Sequence, residues 1–168
     1  TLSKRYFYAS HPTIDNRQTF NTNCHNTDEK TIILGCYSGG SIHVFDVADS
    51  RLPAVREVTA AHEMLHAAYV RLSDQEKNRI NNLIEQQLKS MGADQHIQSL
   101  INSYNQTEPG ELDNEMHLIL GTEVQGLSPD LEQYYQRYFT NRTTVVAYAE
   151  SYQTVFSNLQ SQQKSLLN

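Results

Sequence analysis

The sequence predicts an α+β fold in a single domain. Residues 1–52 form a β-rich N-terminal part, a small antiparallel hairpin or sheet packed on a central helix, and residues 53–168 form a mostly helical remainder. Three observations carry this reading. Two β-branched and aromatic runs near the N-terminus flank a glycine pair; the hydrophobic pattern turns helical after Pro53; and the later segments are bounded by capping or breaking residues. A chain of 168 residues that is 38% hydrophobic buries one good core and is short for two.

Taken in order, residues 1–30 alternate poorly and read as irregular structure with a short strand at residues 5–8. The runs "TIILGCY", residues 31–37, and "SIHVFDV", residues 41–47, are separated by "SGG" and predict a hairpin. From Pro53 a helix begins, with Asp49 or Ser50 as cap and Pro53 in the first turn, and it is apolar on most faces. "LSDQEKNRINNLIEQQLKSMG" opens on a Ser73/Glu76 capping box and stops at Gly92. Shorter helices follow in "DQHIQSLINSY", in "ELDNEMHLILGTEVQG", and in "SPDLEQYYQRYF" with Ser128 as cap and Pro129 in the first turn. The last helix covers residues 142–166. Tyr134, Tyr135, Tyr138, Tyr148 and Tyr152 recur at helical spacing and read as packing between the last two helices.

The formal charge of -6, without a Lys/Arg run, argues against nucleic acid or an anionic membrane as the main partner. No window reaches the roughly 18 apolar residues of a membrane span, so no membrane contact is expected within the chain. The start at Thr1 reads as a mature form from which a signal peptide or membrane anchor has been removed. Cys24 and Cys36 lie close together in a polar-rich segment and read as one disulfide, which places the protein in an oxidising compartment, extracellular or in the cell envelope.

The central helix contains "HEMLH". Positions i and i+4 share a helix face, so His62 and His66 can direct their imidazoles at one ion, and zinc accepts such nitrogens at about 2.0–2.1 Å. Glu63 stands beside that face, where it can take a proton from a metal-activated water and pass it to a leaving group. Two histidines and a carboxylate inside so apolar a helix are costly without a partner. His11, His25, His43 and His96 share no ligand spacing and read as surface residues.

With His62, Glu63 and His66 in place, the chain resembles the zincin metallopeptidases, whose active-site helix carries HExxH. The order of hairpin, motif helix and further helices is similar. After His66 come Ala67, Ala68, Tyr69 and Val70, without the glycine and third histidine of the metzincins. The resemblance is therefore to the gluzincin type, which implies a glutamate on a downstream helix as third zinc ligand. "NEMHLILGT" looks like the Asn-Glu pair and following Gly-Thr of thermolysin-like enzymes, which implies Glu115. Those enzymes place an aspartate four residues on, where this chain has Ile119. On the helical wheel Glu123 falls in mid-stripe and Glu115 at its edge, so Glu123 is either a ligand or holds a ligand histidine in place. The order of candidates is Glu115, Glu123, Glu111. His117 and Tyr104 are candidates for stabilising a transition-state oxyanion, or for packing.

The implied function is a zinc metalloendopeptidase acting on a peptide or protein that lies along the hairpin edge, with Glu63 as base and then acid. The rival reading is a catalytically inactive zincin-like binding or scaffold domain of the cell envelope.

Overall fold

The helix Val55–Tyr69, α3, runs through the middle of the molecule and touches the sheet and several other helices. A computed structural model describes residues 1–24, 34–107 and 109–166. Before α3 come α1 (Leu2–Ala9), β1 (Thr13–Asp15), α2 (Arg17–Asn23), β2 (Gly35–Ser38) and β3 (Ser41–Phe45). After it come α4 (Asp74–Ser90), α5 (Gln95–Thr107), α6 (Leu112–Glu123), α7 (Pro129–Tyr135) and α8 (Arg142–Leu166). The mixture of helices with one small sheet is the expected α+β class.

β2 and β3 form the expected antiparallel hairpin, with Cys36 opposite His43 and Tyr37 opposite Ile42. Its two-residue turn, Gly39 and Gly40, has φ of 58° and 84°. Left-handed backbone at both positions matches the right-handed twist of the strands, and glycine adopts it without a Cβ penalty. Both strands are shorter than expected. Leu34 lies outside β2, β3 stops at Phe45, and residues 31–33 lie outside the described ones. β1 adds to β3 in parallel, so the sheet is mixed, in the order β1-β3-β2, rather than purely antiparallel.

The N-terminal part departs most from expectation. Residues 5–8 belong to α1, not to a strand, because Leu2, Tyr6 and Phe7 pack together on the core at helical spacing. The stretch read as irregular holds β1 and α2, the latter capped by Asn16, whose Oδ1 accepts from Thr19 N at 3.0 Å. Cys24 and Cys36 are disulfide-bonded and tie the end of α2 to β2. His43 is not a surface residue. Its Nδ1 lies 3.0 Å from Asp15 Oδ2, 3.0 Å from Thr13 Oγ1 and 3.1 Å from Asn23 Nδ2. Burial would raise the Asp15 carboxyl, but hydrogen bonds from Asn23, Thr13 and His43 outweigh it and hold the group below its ordinary value.

The start of α3 also differs. Asp49 accepts from Arg51 N at 2.9 Å and pairs with the Arg51 guanidinium, so its carboxylate closes its own turn instead of capping the helix. The helix begins at Val55, after Ala54 in left-handed backbone at φ 59°. The Ser73/Glu76 capping box and the Ser128 cap form as expected.

Leu65, Ala67 and Ala68 of α3 meet Ile80 and Ile84 of α4, Ile97 of α5, Leu118 and Leu120 of α6, and Leu131 and Tyr135 of α7 in one core. Each such Leu or Ile contributes about 1.5–3 kcal/mol on burial. Contact between α3 and α6 depends on Gly121. A Cβ there would stand 2.5 Å from Leu65 Cδ1 and 2.8 Å from Tyr135 Cε1. Arg142 then fastens α8 to α6, donating to Leu120 O at 3.1 Å and Val124 O at 2.6 Å, and it also pairs with Glu132 of α7. These bonds satisfy carbonyls that the end of α6 leaves without helical partners. Tyr134, Tyr135 and Tyr138 are buried, with ring contacts to His117 of α6 and Tyr6 of α1, whereas Tyr148 is 45% exposed.

Candidate metal centre

α3 places His62 and His66 one turn apart with ring centroids at 5.6 Å, and α6 brings Glu115 to them. One ligand atom from each of the three lies within 4.8 Å of the others, so the group could hold a metal ion. A tetrahedral zinc with ligands at about 2.0–2.1 Å separates its donors by roughly 3.3–3.4 Å. His66 Nε2 and Glu115 Oε1, at 3.4 Å, already stand at that separation. Among the three glutamates considered from the sequence, Glu115 is the one in the group.

The other two stand one layer further out. Glu123 Oε1 lies 3.9 Å from His62 Nδ1, and its Oε2 accepts from Gln153 Nε2 of α8 at 2.7 Å. Burial pushes the Glu123 carboxyl up to about 7, against the lowering effect of the Gln153 bond. Glu111 Oε2 accepts from Asn114 Nδ2 at 3.2 Å, and Asn114 Oδ1 faces His66 Nδ1 at 3.3 Å. An amide oxygen only accepts, so His66 carries its proton on Nδ1 and turns the lone pair of Nε2 towards Glu115.

The side chains of His62 and His66 keep 19% and 16% of their surface accessible, so the group opens to solvent on one side. The crowding around the rings still disfavours charging. Burial, followed by the neighbouring His66 and His117, pushes His62 down to about 3, and burial pushes His66 down to about 4 despite its bond to Asn114. Neutral imidazoles are the form that ligates metals.

Glu63 is 4% exposed, and its Oε2 has no hydrogen-bond partner among the described residues. That oxygen lies 3.9 Å from His66 Nε2. Burial, then the charge of Glu115, raises the Glu63 carboxyl well above its ordinary value. An orphaned buried carboxylate oxygen costs about 1–3 kcal/mol or more, and beside a donor set of this kind it points to a cation or a polarised water as its missing partner. β2 closes over this residue. A Cβ on Gly35 would meet Thr59 Cγ2 at 2.5 Å and Glu63 Oε1 at 2.7 Å, so the strand approaches Glu63 as closely as it does because residue 35 is glycine.

His117 and Tyr104 are not in the metal group. His117 is 0% exposed, with Nε2 at 2.9 Å from Tyr134 Oη and its ring against Tyr69, Tyr134 and Tyr135. Tyr104 is half-buried on α5 and packs on the core. The residues that sequence reasoning missed are Asn114, Gln153 and Gly35. A glycine inside a strand does mark a close approach, and Asn114 adjoins Glu115, but nothing local to Gln153 signals its role. Comparison with protein-family models, curated proteins and solved structures yields no match to this chain.

Proposed function

We propose that this chain is a zinc-dependent metallopeptidase of gluzincin-like type, with His62, His66 and Glu115 as the ligands and Glu63 as the proton carrier. The observation that carries the reading is the buried Glu63 carboxylate, whose Oε2 has no hydrogen bond among the described residues and lies 3.9 Å from a ligand-type nitrogen in a three-donor group that could hold a metal. When bound, zinc supplies a Lewis acid that polarises a carbonyl and lowers the pKa of water towards about 7.

The protein's own groups do the rest. Glu63 accepts the proton of the attacking water and delivers it to the leaving amine, and its raised proton affinity suits it to hold that proton between the two transfers. Asn114 fixes the tautomer of His66, and Glu123 faces Nδ1 of His62. β2 is an outer strand of the sheet, and its Gly35 lies against Glu63. An extended peptide that adds to this edge by main-chain hydrogen bonds carries its scissile bond past Glu63. The disulfide suits an extracellular or cell-envelope site of action, and among the described residues no helix is long and apolar enough to cross a membrane.

The test is hydrolysis of a mixed quenched-fluorescence peptide library by zinc-loaded protein. Glu63→Gln at equal zinc content is expected to lower kcat/KM by at least about 10²–10⁴-fold. Cleavage unchanged by this substitution, or none by the wild type, sinks the peptidase reading in favour of a binding domain.

A further inference from the structure

We propose that Gln153 of the C-terminal helix α8 is a positioning residue of the metal centre, acting on His62 through Glu123. The inference rests on the metal-binding part of the function proposed above. Glu123 is the last residue of α6, where a side chain has little helix around it to restrict it. Its terminal torsion is intrinsically broad and roughly two-fold, so an unheld carboxylate swings. Here both oxygens have assigned directions. Oε2 accepts from Gln153 Nε2 at 2.7 Å, which leaves Oε1 facing His62 Nδ1 at 3.9 Å. At 3.9 Å the two are not hydrogen-bonded, so the held carboxylate acts on the ring through its charge and position, favouring the tautomer with its proton on Nδ1 and the lone pair on Nε2.

α8 is itself held in register with this carboxylate. Arg142 at its start donates to Leu120 O and Val124 O on either side of Glu123, and Gln125 Nε2 donates to Glu150 Oε1 at 2.8 Å a turn before Gln153. The chain from α8 to the metal is therefore Gln153, Glu123, His62. It matches on the His62 side the chain of Glu111, Asn114 and His66 on the other.

Zinc affinity, measured by competition with a chromophoric chelator and zinc alone, tests the assignment. Gln153→Ala and the isosteric Gln153→Glu, which removes the donor, are each expected to weaken zinc binding about tenfold. Gln125→Ala, which cuts the neighbouring bond between the segment after α6 and α8 but leaves Glu123 held, is expected to stay within about twofold of wild type. In the zinc-loaded protein the ¹⁵N resonances of the His62 ring should shift in both Gln153 variants and not in Gln125→Ala. If the Gln153 variants melt earlier yet bind zinc like wild type with unshifted His62 resonances, Gln153 only packs α8 and the inference is overturned. That failure is distinct from failure of the metal reading, in which the wild type binds no zinc or His62→Ala binds it equally well.

Discussion

Glu63 occupies an environment at odds with stability. Burial and the adjacent Glu115 raise its carboxyl well above the ordinary 4.5, and Oε2 has no partner among the described residues. In the metal-free protein the native state therefore keeps a proton at pH values where the unfolded chain has lost it. The sign follows from linkage: stability falls as pH rises above about 4.5 towards the raised folded value. Asp15 has the opposite sign, because its lowered carboxyl stabilises the fold above the ordinary 3.8 and that contribution is lost as pH falls below it. Glu63→Gln should stabilise the metal-free protein by about 1–3 kcal/mol at neutral pH and flatten this slope, as read from urea unfolding between pH 5 and 8. A substitution that destabilises at every pH would show that the carboxylate is a satisfied structural group. At this scale the two histidines and Glu63 were legible because helical spacing alone puts His62 and His66 on one face. The choice of Glu115 over Glu123 and Glu111 was open, since a wheel ranks positions around α6 but does not say which face α3 meets.

At the scale of elements, close approach decides the site. Gly121 lets α6 reach α3 and so carries Glu115 to His66, and Gly35 lets β2 lie against Glu63. Gly35→Ala would place a Cβ 2.5 Å from Thr59 Cγ2 and 2.7 Å from Glu63 Oε1. The expected outcome is a fall in kcat/KM of tenfold or more, from displaced Glu63, with a loss of about 1–3 kcal/mol in denaturant stability. Unchanged turnover in this variant would mean that β2 does not set the position of Glu63. The starts of α4 and α7 are legible because Ser73, Glu76, Ser128 and Pro129 cap and begin them through contacts a few residues long, whereas α7 ends at Tyr135, short of the run to Phe139 that the sequence suggests. Part of α1 reads as a strand in the sequence because eight residues give little period, and its helix is fixed by Leu2, Tyr6 and Phe7 meeting the core. β1 was missed for a related reason: three residues carry no alternation, and its partner in the sheet is β3, reached only after α2 and the rest of the hairpin. Gln153 was invisible for the same cause, because its role depends on how α8 lies across the end of α6.

Across the whole molecule, the metal group is where independent parts of the fold converge. α3 supplies His62, His66 and Glu63, α6 supplies Glu115, the hairpin covers one side, and α8 reaches Glu123 from another. An ion bound only by the native arrangement would stabilise it by mass action, by about 4 kcal/mol at a thousand times Kd, so the proposed metal would be coupled to the fold. The most direct measurement of the central claim is zinc content after equilibrium dialysis, compared between the wild type and the single variants His62→Ala, His66→Ala, Glu115→Ala and Glu123→Ala. The account predicts about one zinc per wild-type chain, loss of the ion in the first three variants, and weakened but retained binding in Glu123→Ala. Stoichiometric zinc in Glu115→Ala, or none in the wild type, would contradict it.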